Sequence, residues 1–189
     1  MSDYHQDQIF SNKGFTHTLF QKGEYESCTF KNCNFSEVDL SGSRFLDCEF
    51  LGCNLSLAKL FKTAMQEVKF KDCKLLGLRF DKCEGIGLDL DFENCLLDNT
   101  SFYQCKLKNI TFKNCRLFET DFVEADLTGA DFQGSDLNGA IFENTILEKA
   151  DLRNAKNFII DPQTNRIKKA KFALNGLPGL LLKYGIVVE

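Results

Sequence analysis

The sequence predicts an all-β solenoid, and three observations support this prediction. A large apolar residue stands at every fifth position from Phe10 to Phe80 and again from Phe92 to Leu152. The residue two places before each of these centres is mostly small, and the other three positions are mostly polar. A period of five matches neither the 3.6-residue period of a helix nor the two-residue period of a strand. It indicates a repeat architecture.

Each five-residue unit, or pentad, therefore points two side chains inward and three towards water. A chain with this pattern must turn a corner every five residues, and its successive coils must stack. Neighbouring coils can then pair their backbones at the strand spacing of about 4.8 Å. Because a single coil cannot bury its own core, we expect the stacking of coils to supply the stability.

The run from Ala125 to Gly134 resembles the A-(D/N)-L-x-x motif of the pentapeptide repeat family. The resemblance covers about residues 10–172. It implies a right-handed quadrilateral β-helix with four pentads in each coil, about eight coils and a length of roughly 40 Å. Residues twenty positions apart would then stack. The expected internal columns include Phe92, Phe112 and Phe132 on one side and Phe102, Phe122 and Phe142 on the opposite side.

The cysteines all occupy the small inward position of their pentads. A ladder of thiols twenty residues apart, with no histidine nearby, does not supply the closely spaced ligand pairs of a zinc site. We therefore predict buried free thiols that act as small apolar side chains in a reducing compartment. These residues are Cys28, Cys33, Cys48, Cys53, Cys73, Cys83, Cys95, Cys105 and Cys115.

Composition and residue types argue against an enzyme or a membrane protein. The only histidines are His5 and His17, and no catalytic triad, cysteine–histidine pair or carboxylate pair is recognisable. No apolar segment is long enough to span a membrane, and the N-terminus lacks a signal-peptide pattern. We expect a soluble, cytoplasmic binding protein with no metal or cofactor and no direct contact with membranes or nucleic acids.

The pentad frame shifts by two residues within residues 84–92. Gly85 and Gly87, which alternate here with Ile86 and Leu88, provide the backbone freedom that a bulge requires. One interpretation of this segment is a simple structural kink or bulge with no role in binding a partner. The step also resembles the Qnr group of pentapeptide repeat proteins, which bind DNA gyrase and topoisomerase IV and protect them from quinolones. Many members of that group carry long projecting loops, and this sequence has no such insertion.

The solenoid is predicted to occupy residues 1–172, with a degraded last coil at 156–171. Residues 173–189 are predicted to form a short C-terminal α-helix and a strand at 186–188. Asn175 is the expected N-cap, Pro178 lies in the first turn and Gly185 ends the helix. The apolar stripe of this tail either caps the solenoid or, as the resemblance implies, forms a homodimer, which we favour. The stripe comprises Leu174, Leu177, Leu180, Leu181 and Tyr184.

Charge is distributed unevenly. Residues 118–151 contain nine acidic residues and one cation, Lys149, whereas residues 59–82 are predominantly basic. Duplex DNA presents about one negative charge per 1.7 Å of its axis, so an acidic rod can imitate it. The alternative is a solvated acidic face that only aids solubility. The candidate partner-binding face comprises Asp121, Asp126, Asp131, Asp136 and Asp151 with Glu119 and Glu124.

Two functions remain open at this point. The resemblance implies a DNA mimic that binds DNA gyrase or topoisomerase IV and protects or modulates the enzyme. The alternative is a structural scaffold with an unidentified protein partner. The bulge and the C-terminal tail favour the first function, and the lack of long loops favours the second.

Overall fold

The computed structural model describes residues 3–16 and 19–186 and confirms a parallel β-solenoid. Two parallel sheets have the strand orders β1-β3-β5-β7 and β2-β4-β6-β8-β9-β10. The strands are β1 (Asp3–Gln6), β2 (Ile9–Ser11), β3 (Gly23–Glu26), β4 (Thr29–Lys31), β5 (Arg44–Leu46), β6 (Glu49–Leu51), β7 (Ala64–Gln66), β8 (Val68–Lys71), β9 (Leu90–Glu93) and β10 (Thr111–Lys113).

Each coil contains four pentads, because residues twenty apart pair in register, as Phe30 and Phe50 do. The regular strands describe about five turns, fewer than the eight coils predicted. Further along the chain the coils remain joined by isolated parallel bridges such as that between Asp121 and Ile141. On those faces each pentad contributes too few extended residues to form a strand.

The core consists of columns of stacked phenyl rings, as predicted. The ring centroids of Phe92 and Phe112 lie 5.3 Å apart, and those of Phe102 and Phe122 lie 5.4 Å apart. Rings of the two columns meet edge to face, as Phe102 and Phe112 do at 5.6 Å. Both geometries are favourable for aromatic pairs, so the columns stabilise one another along the rod.

The corners depend on left-handed backbone conformations two residues after most centres. Asn94, Asn114 and Gly134 have φ values of 54°, 52° and 72°. Asparagine and glycine tolerate this region better than other residues, which explains their frequency at these positions. Leu57 adopts the same conformation with φ at 58°.

The aspartates that precede the centres stabilise these turns. Oδ1 of Asp131 accepts the backbone N–H of Gln133 at 2.9 Å, two residues further along. The equivalent bonds of the other four candidate aspartates measure between 3.0 and 3.2 Å, at Asp121, Asp126, Asp136 and Asp151. Such side-chain turns satisfy backbone donors locally. These residues therefore have a structural role whether or not they bind a partner.

The frame shift is absorbed between two coils without breaking the core. Strands β8 and β9 pair with Phe70 opposite Phe92, a separation of 22 residues, and the two rings still stack at 5.3 Å. The additional residues loop outward, leaving Ile86 82% exposed, while Leu88 is buried. Gly87 has φ at +75°, and a Cβ there would lie 2.5 Å from the side-chain nitrogen of Gln66. A larger residue at position 87 would therefore be strained.

The C-terminal tail covers the last coil with three short turns. A 3₁₀ turn at Leu174–Gly176, helix α1 at Pro178–Leu181 and a 3₁₀ turn at Leu182–Tyr184 follow one another, and Gly185 ends them in a left-handed conformation. The N-cap of α1 is Leu177. The prediction of Asn175 as the N-cap was wrong, because Asn175 lies within the preceding 3₁₀ turn. Apart from Ile186, the predicted strand lies outside the described residues.

Close backbone contacts hold this tail in place. The carbonyl of Gly179 accepts the N–H of Ile160 at 3.0 Å, and Lys183 pairs with Asp161 at 2.7 Å. A Cβ at position 179 would lie 2.3 Å from the carbonyl oxygen of Phe158. The tail therefore caps the open end of the solenoid, whose backbone and core would otherwise be exposed.

Eight of the nine cysteines are buried, and Cys83 is half-exposed. Cys83 differs because it lies where the chain leaves the regular coil for the bulge. Burial raises the pKa values of the Cys48 and Cys105 thiols to about 12. Both side chains therefore remain protonated near neutral pH and act as small apolar groups.

We predict that burial in the phenyl columns governs stability. Phe112→Ala should reduce the free energy of unfolding by roughly 3–5 kcal/mol, because the cavity lies between two stacked neighbours. Cys105→Ala should cost much less, because far fewer buried atoms are removed. Urea denaturation measures both variants, and the reverse order of stabilities would contradict the account of the core.

We also predict that the turn bond and the charge of Asp131 can be separated. Asp131→Asn keeps an oxygen acceptor for the N–H of Gln133 and should be nearly neutral in stability. Asp131→Ala removes the acceptor and should cost about 1 kcal/mol. Equal losses in thermal unfolding for the two variants would show that the carboxylate charge, rather than the turn, matters at this position.

Candidate partner-binding surface

The structure does not gather the predicted aspartates on one face. Asp121, Asp126, Asp131 and Asp136 belong to consecutive pentads, so they lie on the four different faces of one coil. Of the five candidates, only Asp131 and Asp151 share a face, where they form a parallel bridge. The spacing of five seen in the sequence encircles the rod, and only a spacing of twenty produces a column.

Neighbouring cations compensate two of these carboxylates. Lys108 lies 3.5 Å from Asp126, and Asp151 pairs with Arg153 at 2.7 Å and with Lys171 at 3.5 Å. The hydrogen bond from Arg153 lowers the pKa of Asp151 to about 2. These two positions therefore contribute little net negative charge to the surface.

One face does carry a cluster of uncompensated acids. We call it the Asp121 face and define it by the bridged column Arg79, Ser101, Asp121 and Ile141. Its acidic patch comprises Glu119, Asp121, Glu124 and Glu143. Within the part of the chain that the structure describes, no member of this patch belongs to an ion pair.

Polar neighbours orient the patch. Ser101 Oγ donates to Asp121 Oδ2 at 3.1 Å, and Gln104 Nε2 donates to Glu124 Oε2 at 2.7 Å. Glu119, Glu124 and Glu143 are exposed, and Asp121 is half-buried. Sequence reasoning did not select Glu143. The available signal was its position twenty residues after Val123, which places it on the same face as Asp121.

The other half of the Asp121 face is basic. Lys59 and Lys62 lie exposed in one coil, with Arg79 and Lys82 in the next, and we call these four residues the basic half. Both Arg79 and Lys82 pair with Asp81, at 2.7 and 2.9 Å, and the Asp81 side chain is only 2% exposed. One carboxylate thus offsets part of the positive charge, and the basic half retains a net positive charge.

Exposed apolar side chains run along the same face. Phe61 is 59% exposed, Tyr103 37% and Ile141 50%. Phe61 lies outside the pentad frame of the sequence, which is why it projects outward. The face therefore combines a basic half, a tyrosine near the middle and an acidic patch, an arrangement typical of surfaces that contact other proteins.

The apolar stripe predicted for the tail is divided between two sides. Leu180 packs against the core and Leu181 is half-buried, so both belong to the cap. Leu174, Leu177 and Tyr184 face outward, and Leu174 is 86% exposed. Leu182 and Ile186, which the stripe did not include, are also exposed. The outward group forms an apolar surface at the end of the rod.

The bulge borders a cleft of about 410 Å³ beside the Asp121 face. Its lining includes Gly85, Ile86 and Leu88 from the bulge together with Cys83 and Tyr103. Across residues 3–16 and 19–186, no group of three or more histidine, cysteine, aspartate or glutamate side chains is arranged to hold a metal ion. The same residues include no helix long and apolar enough to cross a membrane.

Comparison with known proteins gives a consistent result. A model of the pentapeptide repeat region matches residues 23–85 and 88–157. No curated protein matches the chain. Two trypsin-treated variants of QnrB1, a plasmid-mediated fluoroquinolone resistance protein, share its fold with TM-scores of 0.65 and 0.63. Their sequences are 20% and 19% identical to this one. The matches cover 99% and 100% of this chain, respectively, and 100% of each QnrB1 chain.

A more distant match is HetL from the cyanobacterium Nostoc, a pentapeptide repeat protein involved in heterocyst differentiation regulation. Its TM-score is 0.38 at 21% identity, over 89% of this chain and 86% of its own. The likeness to the two QnrB1 structures concerns the fold alone. The family model, in contrast, covers well over half of the sequence, and the chain belongs to the pentapeptide repeat family.

Proposed function

We propose that this protein binds a type II topoisomerase, DNA gyrase or topoisomerase IV, by presenting the acidic patch in place of DNA. The observation that supports this function is the cluster of four uncompensated carboxylates on one face of a narrow rod. A DNA-binding enzyme has a positively charged surface that attracts such a cluster over distances of about a Debye length. No catalytic chemistry is needed, and the protein acts by occupying the site.

Protection from quinolones is the biological effect that we propose for this binding. The similar fold of QnrB1, a fluoroquinolone resistance protein, supports the proposal. The bulge at Gly85–Leu88 adds two residues and no long loop, so protection has to come from the faces of the solenoid. The target enzymes act on chromosomal DNA and the free thiols require a reducing compartment, so we place the protein in the cytoplasm.

A scaffold with another protein partner is the second candidate. The exposed Phe61, Tyr103 and Ile141 favour it, because a pure DNA mimic does not need apolar side chains on its binding face. Apolar contacts of this kind are typical of protein–protein interfaces. Both candidates place the partner on the Asp121 face, and they differ in whether charge or apolar contact supplies most of the affinity.

We predict that the acidic patch determines topoisomerase affinity. A variant with Glu119→Gln, Asp121→Asn, Glu124→Gln and Glu143→Gln should bind gyrase at least roughly tenfold more weakly, because four attractive charges are lost. Its melting temperature should remain close to that of the wild type, since Asn keeps the turn acceptor at position 121. Binding can be measured by surface plasmon resonance, and protection by a supercoiling assay with ciprofloxacin.

The matched control removes four charges elsewhere, with Asp126→Asn, Asp131→Asn, Asp136→Asn and Asp151→Asn. This control should bind almost as well as the wild type, because two of its positions are already compensated by cations. If both variants lost the same affinity, net charge alone would explain binding. If the wild type bound neither gyrase nor topoisomerase IV, the scaffold function would replace the proposal.

We further propose that the outward surface of the tail forms a homodimer. Leu182→Asp should then produce monomers, because a charge would be buried at the two-fold contact, with little change in melting temperature. Leu180→Asp should lower the melting temperature as well, since Leu180 packs against the core. Sedimentation equilibrium at about 1 M salt, where charge contacts are screened, measures the mass. A wild-type monomer under these conditions would exclude the tail dimer.

A further inference from the structure

The charges on the Asp121 face change sign on either side of Tyr103. The basic half occupies the two coils on one side of this residue. The acidic patch, apart from Glu119 at the corner, occupies the two coils on the other side. Because the two groups lie at the same distances from Tyr103, the face is complementary to its own reversed copy.

We propose that the Asp121 face binds a second copy of this chain side by side, with the two rods antiparallel. The two-fold axis runs along the strand direction through the coil of Tyr103. Such an axis leaves each column of side chains opposite the same column of the second copy and reverses the order of the coils. The coil before Tyr103 in one copy therefore meets the coil after it in the other.

This operation brings opposite charges together on two columns. Arg79 and Asp121 each form a bridge to Ser101, so they lie one coil to either side of it on the same column. In the antiparallel pair, Arg79 of one copy faces Asp121 of the other. Lys82 and Glu124 both lie at the adjoining corner, each two residues after a centre, although Lys82 ends a 3₁₀ turn and Glu124 has a left-handed φ of 57°. Each pairing occurs twice because of the symmetry, which gives four ion pairs.

The stacking of the core supports the register at this corner. The rings of Phe80 and Phe102 lie 4.9 Å apart, and those of Phe102 and Phe122 lie 5.4 Å apart. Since Lys82 and Glu124 follow the two outer rings at the same interval, they too lie one coil to either side of Tyr103. The N–H of Lys62 donates to the carbonyl of Lys82 at 2.8 Å, so Lys82 stays in the ladder of this corner, one residue later than Val123, which accepts the same bond from Gln104 at 3.0 Å.

Apolar contacts complete the surface. Tyr103 lies at the axis and meets its own copy. Phe61 and Ile141 lie two coils to either side on adjacent columns, so they face Glu143 and Lys59 of the other copy rather than each other. These are the exposed apolar side chains of the face, and association would cover all three. Five coils give a contact about 24 Å long. A contact of this size is typical of weak, salt-sensitive association.

Association of this kind would cover the acidic patch. If the proposed topoisomerase function holds, self-association and topoisomerase binding exclude each other, and dilution releases the active surface. The self-association itself requires no topoisomerase. Its test can therefore succeed or fail independently of the proposed function.

Charge reversal at Lys82 and Glu124 tests the proposal. The Leu182→Asp background removes the tail contact, and sedimentation equilibrium of chains in this background measures pairing. Lys82→Glu alone and Glu124→Lys alone should each weaken pairing roughly tenfold or more, because like charges then meet at both contacts. Arg79 still pairs with Asp81 in the first variant, so folding should be preserved.

An equimolar mixture of the two single variants restores opposite charges and should pair at least as tightly as the unreversed background chain. A chain that carries both substitutions should also pair with itself at least as tightly as the unreversed background chain. Lys168→Glu, an exposed substitution on another face, should have no effect. Raising the salt from about 0.1 to about 1 M shortens the Debye length from about 10 to about 3 Å and should weaken every pairing.

Crosslinking at the axis provides a second measurement that does not depend on charge. Tyr103→Cys in the Leu182→Asp background should form an intermolecular disulfide when a mild oxidant removes two electrons and two protons from the paired thiols. Ile159→Cys, exposed but about three coils from the axis, should not, because its two copies would lie about six coils apart. A mixture that pairs no better than the single variants, or position-103 thiols that crosslink no faster than those at 159, would overturn the proposal.

Discussion

Hydrogen bonds between successive coils determine where the side chains of the solenoid lie. The N–H of Asp121 donates to the carbonyl of Thr100 at 2.9 Å, and the carbonyl of Asp121 accepts from Phe102 at 2.8 Å. Repeated at each coil, these bonds fix residues twenty apart in one column. The phenyl stacks and the charged faces are both consequences of this register. Additional residues cannot enter the ladder, so those of the bulge project outward and the columns continue past them.

The same constraint gives the outward aspartates two roles that the sequence does not separate. Each accepts a backbone N–H in its own turn, which explains why they recur with the repeat. Their value to a partner depends instead on the neighbouring coil. Lys108 offsets Asp126, whereas Ser101 offers Asp121 only a hydroxyl and leaves its charge available. Compensation by the adjacent coils therefore decides which acidic residues form a binding surface.

The five-residue periodicity predicted the solenoid, and the resemblance to the pentapeptide repeat family supplied the four pentads per coil that place the phenyl columns. The prediction placed the seven acidic candidates on one face, whereas Glu119, Asp121 and Glu124 lie together on the Asp121 face and Asp131 and Asp151 share another. Grouping them required the stacking period as well as the pentad period. The structure of the tail differs from its prediction for another reason. Its apolar stripe fits a helix, but Gly179 approaches the backbone of Phe158 so closely that the segment folds as short turns against the last coil.

Carboxyl footprinting of the protein at low concentration, with and without gyrase, tests the central claim that the Asp121 face is the binding surface. Carbodiimide-activated labelling followed by mass spectrometry reports the accessibility of each carboxylate. The account predicts that gyrase protects Glu119, Asp121, Glu124 and Glu143, while carboxylates on the other faces, such as Asp131 and Glu67, are labelled equally in both samples. Protection confined to the other faces, with the acidic patch fully labelled in the complex, would contradict the account.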